Sequence, residues 1–115
     1  MSTENKDVSD AGQLADPRSI AGLVNYADGS VVSRTVVKNP AGNITLFSFA
    51  QGQGLSEHSA PYDAFVMILE GQAELTIGGR KMSAKTGECV LMPANIPHAL
   101  LATSPFKMLL VMIRG

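Results

Sequence analysis

Short apolar segments alternate with turn-forming residues along most of the chain, and this pattern predicts an all-β fold. Runs rich in Val, Ile, Leu, Thr and Phe are separated by turn signals such as NPAGN and QGQG. In AELTI, apolar and polar positions alternate with a period of two, and the following Gly78 and Gly79 predict a tight hairpin. About eight such strands at regular spacing predict a small β-sandwich or β-barrel.

Two stretches near the N-terminus depart from the strand pattern. Residues 1–17 are polar, acidic and without periodicity, so we expect a flexible tail followed by a single domain over residues 18–115. In DPRSIAGLV, Asp16 suits a helix cap and Pro17 a first helical position, which together predict one helical turn.

Composition limits which classes of partner and which cellular compartment we expect. The chain has no basic cluster, and its longest apolar run, MLLVMI, is far too short to cross a bilayer, so we expect neither nucleic acid nor membrane as a partner. The N-terminus carries no secretory signal pattern, which predicts a cytoplasmic protein. Cys89 is the single cysteine, which excludes an internal disulfide, and we expect its side chain to be a small buried hydrophobe.

Two spaced motifs carry the strongest information about family. In the first motif, successive gaps of five, one, three and six residues separate Gly52, His58, Ala60, Ala64 and Gly71. In the second motif, gaps of five, one, two and three residues separate Gly87, Pro93, Asn95, His98 and Ala102. Both spacings resemble the two motifs of the cupin superfamily. The resemblance implies a jelly-roll β-barrel with a pocket at its centre, and Asn95 stands where the family has a glycine.

The resemblance also implies a metal site, but half of the ligand set is missing. The family holds its metal with two histidines and a glutamate from the first motif and one histidine from the second. This chain has His58 and His98, with Ala60 and Ala64 at the other two positions. Two imidazoles imply a weakly held divalent ion, such as Zn, Ni, Mn or Fe. Strand alternation places Asp63 on the opposite face, unless the turn SAPYD breaks that parity.

The alanines predict open space inside the barrel. The residues expected to face inward form an apolar wall with two histidines at its mouth, the pattern of a small-molecule site. This candidate ligand site consists of His58, Ala60, Ala64, Val66, His98, Leu100 and Ala102. In the alternative interpretation, neighbouring Met and Leu side chains fill the gap, and the two histidines bond to each other or to water.

These features predict a small cupin that binds a small organic ligand in its barrel, with His58 and His98 orienting it. The alternative is a metal-dependent enzyme, namely a dioxygenase, isomerase or decarboxylase that uses the two-histidine site. A structural or storage role is a third hypothesis. The fold does not decide among them, because cupins host many chemistries on one scaffold.

The C-terminal segment FKMLLVMIRG predicts a homodimer. Both alternating sets of this segment are apolar, whereas a barrel strand with a solvent-exposed outer face should carry polar residues there. Something must therefore cover the second face. A symmetric partner is the commonest cover among soluble proteins. The segment SIAGLV of the same chain is the alternative cover.

Overall fold

A computed structural model describes residues 16–114, which form nine β-strands and one short 3-10 helix. The 3-10 helix spans Ile20–Leu23. The strands are β1 (Val31–Asn39), β2 (Gly42–Phe49), β3 (Gly54–His58), β4 (Asp63–Glu70), β5 (Gln72–Ile77), β6 (Arg80–Lys85), β7 (Cys89–Met92), β8 (His98–Leu101) and β9 (Phe106–Ile113). The expected all-β, single-domain jelly roll is confirmed. Most of the expected tail, residues 1–15, lies outside the described residues.

The strands form two antiparallel sheets. A five-stranded sheet has the order β1-β2-β9-β4-β7, and a four-stranded sheet has the order β3-β8-β5-β6. Neighbours in each sheet are mostly distant in sequence, since only the β1–β2 and β5–β6 pairs are hairpins. The expected turn at Gly78 and Gly79 joins β5 to β6 with φ values of 58° and 79°, as a tight hairpin requires.

The main core lies between the two sheets. It contains alternate residues of β4, β5 and β9, so the period of two seen in the sequence is confirmed as inward-facing positions. At its centre the rings of Phe49 and Phe106 stack with centroids 4.5 Å apart. Both side chains are fully buried.

A second, smaller core lies on the outer face of the five-stranded sheet. Residues 19–27, here called the arm, cross this face and bury Leu23 and Val24 against Leu46 and Leu109. The segment SIAGLV is therefore a cover for part of the second apolar face of the C-terminal strand. No helix within residues 16–114 is long and apolar enough to cross a membrane.

Side chains of the sheet hold the arm by its backbone. Lys107 donates to the carbonyl of Ala21 at 2.7 Å, and the Ser48 hydroxyl donates to the carbonyl of Asn25 at 2.8 Å. Between them, the carbonyl of Leu23 accepts a bond of 2.8 Å from Arg34. The helical turn differs from the expected one near Asp16 and Pro17, since it begins at residue 20 and stops after four residues. Its early end is consistent with these bonds, because they engage carbonyls that a longer helix would use.

Two local expectations have different outcomes. Asn95 adopts a left-handed φ of 66°, as expected for asparagine in a position that usually takes glycine. The expected burial of Cys89 is wrong, since the side chain is exposed. Cys89 begins β7, the edge strand of the five-stranded sheet, and its partner across the sheet is Met67. An edge position leaves one side of a strand without a neighbour.

Candidate functional site

The two motif histidines meet at one end of the barrel. His58 is the last residue of β3, His98 is the first residue of β8, and the two are direct cross-strand partners. Their Nε2 atoms lie 3.1 Å apart, and the rings cross at 67°. The side chain of His98 is 7% exposed, whereas that of His58 is exposed.

A register shift in β3 brings His58 to this position. Leu55 pairs with Leu100 and His58 pairs with His98, so three steps along β3 oppose two steps along β8. Leu55 packs against the core, and plain alternation from Leu55 would turn His58 outward. The extra residue restores the inward direction, which is the known effect of a β-bulge. The motif spacing placed both histidines at the mouth of the pocket but did not determine whether they approach each other.

Backbone carbonyls fix the orientation of both rings. The Nδ1 atom of His58 lies 2.8 Å from the carbonyl of Ser56, and that of His98 lies 3.2 Å from the carbonyl of Ile96. A carbonyl oxygen can only accept, so each Nδ1 carries the hydrogen. In a neutral ring the Nε2 atom is then a bare acceptor. Two bare acceptors 3.1 Å apart cannot bond to each other, so the pair needs a donor or a cation.

The environment of His98 keeps that ring neutral. Burial lowers the pKa of His98 because it penalises the charged form, and the bond to the Ile96 carbonyl acts in the opposite direction. The neighbouring His58 lowers the pKa of His98 further, since two imidazolium charges would repel each other. The buried ring therefore presents an acceptor at neutral pH. The site can receive a hydroxyl or N–H group of a ligand, a shared proton or a metal ion.

The loop before His98 is anchored on the segment before Ala64. The backbone N–H of Asn95 donates to the carbonyl of Ala60 at 2.7 Å, and that of Ala94 donates to the Asp63 carboxylate at 2.9 Å. Asp63 is exposed while Ala64 is buried, as strand alternation predicted. The Asp63 carboxylate thus positions the loop that presents His98 and lies on the opposite face from the inward residues.

The remaining candidate ligand residues divide into core residues and one partly buried residue. Four of them belong to the main hydrophobic core and are at most 5% exposed, namely Ala64, Val66, Leu100 and Ala102. Ala60 precedes β4 and is partly buried. Their contact with a ligand stays a prediction.

A groove of about 500 Å³ lies away from the histidines, against β5, β6 and β8, with Glu74, Lys81 and Leu101 in its lining.

A short polar row on the inner face of β1 and β2 was missed in the sequence. The hydroxyls of Thr35 and Thr45 lie 3.3 Å apart, and the Thr45 hydroxyl donates to the Asn43 amide oxygen at 3.2 Å. Asn43 lies beside Met112, and Met112 lies beside Ala64 on the next strand. The alternation in GNITLFSF contains the signal, because Asn43 and Thr45 share a face with the core phenylalanines that follow.

The residues present fit a divalent ion only in part. Two imidazole nitrogens at about 2.0–2.1 Å from one ion would lie roughly as far apart as the two Nε2 atoms, which are separated by 3.1 Å. Within residues 16–114, however, no group of three or more His, Cys, Asp or Glu side chains can hold a metal. Since the family's other ligand positions are Ala60 and Ala64, an ion here would have two protein ligands, and water or a ligand would complete its shell.

Two facing antiparallel sheets with motif histidines at the barrel mouth define a small jelly-roll barrel. The Cupin domain family matches residues 45–113, more than half of the chain, and the chain belongs to this family. No functionally curated protein matches the chain at a significant level.

Solved structures agree with this assignment. A conserved protein of unknown function from Streptococcus pyogenes is 40% identical, with a TM-score of 0.84 over 88% of this chain and 89% of that one. A cupin 2 conserved barrel domain protein from Leptotrichia buccalis is also 40% identical, with a TM-score of 0.80 over 83% of this chain and 46% of that one. A cupin superfamily protein from Desulfitobacterium hafniense is 29% identical, with a TM-score of 0.83 over 87% of this chain and 92% of that one.

Proposed function

We propose that this cupin binds a small organic molecule at the mouth of its barrel, oriented by the Nε2 atoms of His58 and His98. The observation that carries the proposal is that the two Nε2 atoms lie 3.1 Å apart, with each ring held in place by a backbone carbonyl at its own Nδ1. A hydroxyl or N–H group placed between the rings would satisfy both acceptors. Preorganised acceptors reduce the entropic cost of binding.

The surroundings favour a largely apolar ligand. Ala64, Val66 and Leu100 are buried on the inner faces of β4 and β8, and β8 begins with His98. Small-molecule sites combine such walls with a few polar groups that fix orientation. A compact molecule with an apolar body and one donor group fits this combination better than a charged or phosphorylated one.

A phenol is a suitable probe, because it combines one donor hydroxyl with an apolar ring. We expect p-cresol to bind the native chain by calorimetry and to bind the His58→Ala variant about tenfold more weakly, which corresponds to about 1.4 kcal/mol. His58 is exposed, so this substitution should leave the fold intact. Ser83→Ala, at an exposed position of β6, is the matched control and should bind like the native chain.

Compounds released from protein purified out of cells provide a second test. Denaturation followed by mass spectrometry should release a small organic molecule from the native chain and not from His58→Ala. If p-cresol gives no heat at millimolar concentration and nothing is released, the ligand hypothesis is wrong.

The Nε2 spacing favours a second candidate, a metal-dependent enzyme of the dioxygenase, isomerase or decarboxylase type. His58 and His98 would hold a divalent ion, which when bound would polarise a substrate oxygen or activate water. Elemental analysis of purified protein and zinc titration distinguish the two candidates. A stoichiometric metal, or an affinity in the nanomolar range near about −12 kcal/mol, would favour the enzyme.

A further inference from the structure

The hydrogen bonds of the polar row on β1 and β2 run in one direction. The Thr45 hydroxyl donates to the Asn43 amide oxygen at 3.2 Å and lies 3.3 Å from the hydroxyl of Thr35. A hydroxyl carries a single hydrogen, so Thr35 must be the donor in the bond between the two threonines. The row therefore starts at Thr35 and ends at Asn43, with the amide N–H groups of Asn43 pointing away from both threonines.

These amide N–H groups have only a weak acceptor within the described part of the chain. Over residues 16–114, the Asn43 amide nitrogen donates to the sulfur of Met112 at 4.0 Å and to no stronger acceptor. A thioether sulfur accepts hydrogen bonds poorly. Since Asn43 is half-buried, its amide is also partly shielded from water. Its donor capacity is therefore largely unused.

The Asn43 amide lies at the mouth of the barrel. Asn43 pairs with Met112, and Met112 pairs with Ala64, so the three form one inward-facing row across β2, β9 and β4. The next inward row contains Leu110 and Val66, which belong to the main core or pack against it. β2 and β4 begin, and β9 ends, one residue beyond the Asn43 row. This row is therefore the last inward-facing one on these strands.

The loop of the second motif brings the histidines to the same end of the barrel. Its backbone N–H groups bond to Ala60 and to Asp63, the first residue of β4, and His98 follows the loop as the first residue of β8. Asn43 belongs to the five-stranded sheet and His98 to the four-stranded one. Facing sheets pack about 10 Å apart. A donor group and a pair of acceptors therefore border the mouth from opposite sheets, at a separation that one small organic molecule can bridge.

We propose that Asn43 is a second anchor for the ligand and donates to a carbonyl oxygen, while the Nε2 atoms of His58 and His98 accept from a hydroxyl or N–H group. This inference rests on the proposed function, because the histidine pair is the first anchor. It assigns the ligand to the class of compact neutral molecules with a donor at one end and a carbonyl group at the other, such as hydroxyaryl ketones and amides. A carboxylate is less suitable. Lys38, the cross-strand neighbour of Asn43, is exposed, and a buried charge needs a close partner.

Two phenols of similar shape test the second anchor. 4-Hydroxyacetophenone has a carbonyl oxygen where 4-isopropylphenol has a methyl group, and both keep the hydroxyl for the histidines. By calorimetry, we expect the native chain to bind the ketone about tenfold more tightly, the gain of one amide–carbonyl hydrogen bond. In Asn43→Leu, which keeps the size of the side chain without the amide, the ratio of the two affinities should fall by about tenfold. Comparing ratios removes the effect of the different acidities of the two phenols.

Three further variants separate the amide from other causes. Asn43→Asp keeps an acceptor for Thr45 and removes the N–H groups, so it should lose the preference for the ketone as well. His58→Ala should weaken binding of both phenols and keep their ratio. Gln72→Leu is the matched control, since it removes an exposed amide from β5 of the other sheet, and it should keep the native preference.

Binding of p-cresol, which has no carbonyl group, separates the two anchors. It should be the same in the native chain and in Asn43→Leu, which also shows that the variant is folded. If p-cresol does not bind the native chain, the first anchor is wrong and the second is overturned with it. If p-cresol binds but the native chain does not prefer the ketone, or if Asn43→Leu keeps the preference, only the second anchor is wrong. Tighter binding of 4-hydroxybenzoate than of the ketone, in the native chain and in Asn43→Leu alike, would assign the second anchor to a cation and overturn the role of Asn43.

Discussion

Two side chains with basic groups, His98 at the barrel mouth and Lys107 beneath the arm, are almost equally buried. They differ in the hydrogen-bond partners that surround the basic group. They are 7% and 8% exposed, respectively. The Lys107 ammonium donates to the Ala21 carbonyl and lies 5.1 Å from the centre of the Tyr26 ring, and Tyr26 donates to Glu70 at 2.6 Å. The Nε2 atom of His98, by contrast, faces the Nε2 atom of another imidazole.

This difference separates a structural group from a candidate functional one. Lys107 finds a hydrogen-bond acceptor and an aromatic face within its own chain, so its burial stabilises the arm. Tyr26 is 39% exposed but is also satisfied within the chain, since it donates to the Glu70 carboxylate. Partial burial and that bond both raise the pKa of the phenol. Within residues 16–114, His98 has one nitrogen held by a backbone carbonyl and one that faces the Nε2 atom of His58. A donor supplied by a ligand would satisfy both imidazoles at that point.

The largest expected effect concerns metal binding at the mouth. Ala60→His and Ala64→Glu together restore the family's ligand set at positions whose spacing already matches. We expect the double variant to bind zinc at least about 100-fold more tightly than the native chain, about 2.7 kcal/mol, because each new ligand replaces water and the carboxylate offsets the charge. Calorimetric titration of both proteins measures the difference. Equal affinities would mean that the new side chains do not reach the histidines.

The second prediction tests the structural role of Lys107 beneath the arm. Lys107→Ala should lower the free energy of unfolding by about 2 kcal/mol, since it removes a charge-assisted bond and the packing of a buried side chain. The change is measured by urea denaturation. Binding of p-cresol at the His58–His98 site should be unaffected as long as the variant is folded. Lys107→Met, which keeps most of the apolar stem, should cost less than Lys107→Ala, and an equal loss would assign the whole effect to the lost bond.

The smallest expected effect is a pH dependence of the free energy of unfolding, which tests the neutral state of His98. The pKa of His98 is lowered by burial in the folded state from the ordinary value of 6.5, so the unfolded chain binds a proton more readily. The stability contributed by neutral His98 is therefore complete above about pH 6.5 and is lost as the pH falls below it. In metal-free protein, the free energy of unfolding should decline over this range. The decline should be shallower in His98→Gln. If the slope of the free energy of unfolding against pH is unchanged in this variant, other groups cause the decline.

Lys107→Met provides the matched control for that experiment. Its slope below pH 6.5 should equal that of the native chain, since the substitution leaves both histidines in place. A flatter slope in this variant would show that loss of the arm, rather than protonation of His98, governs acid sensitivity.

Much of the fold was predictable because its signals are local. Alternation with a period of two placed Ala64 and Val66 inside and Asp63 outside, since successive side chains of a strand point to opposite faces. The conformation of Asn95 was predictable from its intrinsic tolerance of positive φ. The family resemblance placed His58 and His98 at the mouth of the pocket, but whether they approach each other was not predictable from the sequence.

Tertiary structure decided the features that give the site its chemistry. The bulge in β3 depends on how β3 pairs with β8, and the sequence GLSEH alone does not predict it. The same pairing sets the Nε2 atoms 3.1 Å apart. Likewise, the arm covers part of an apolar sheet face, and Cys89 is exposed on an edge strand. Sequence patterns report the direction of a side chain along its own strand, whereas its partners are set by strands far away in sequence, and those partners determine which polar atoms remain unsatisfied.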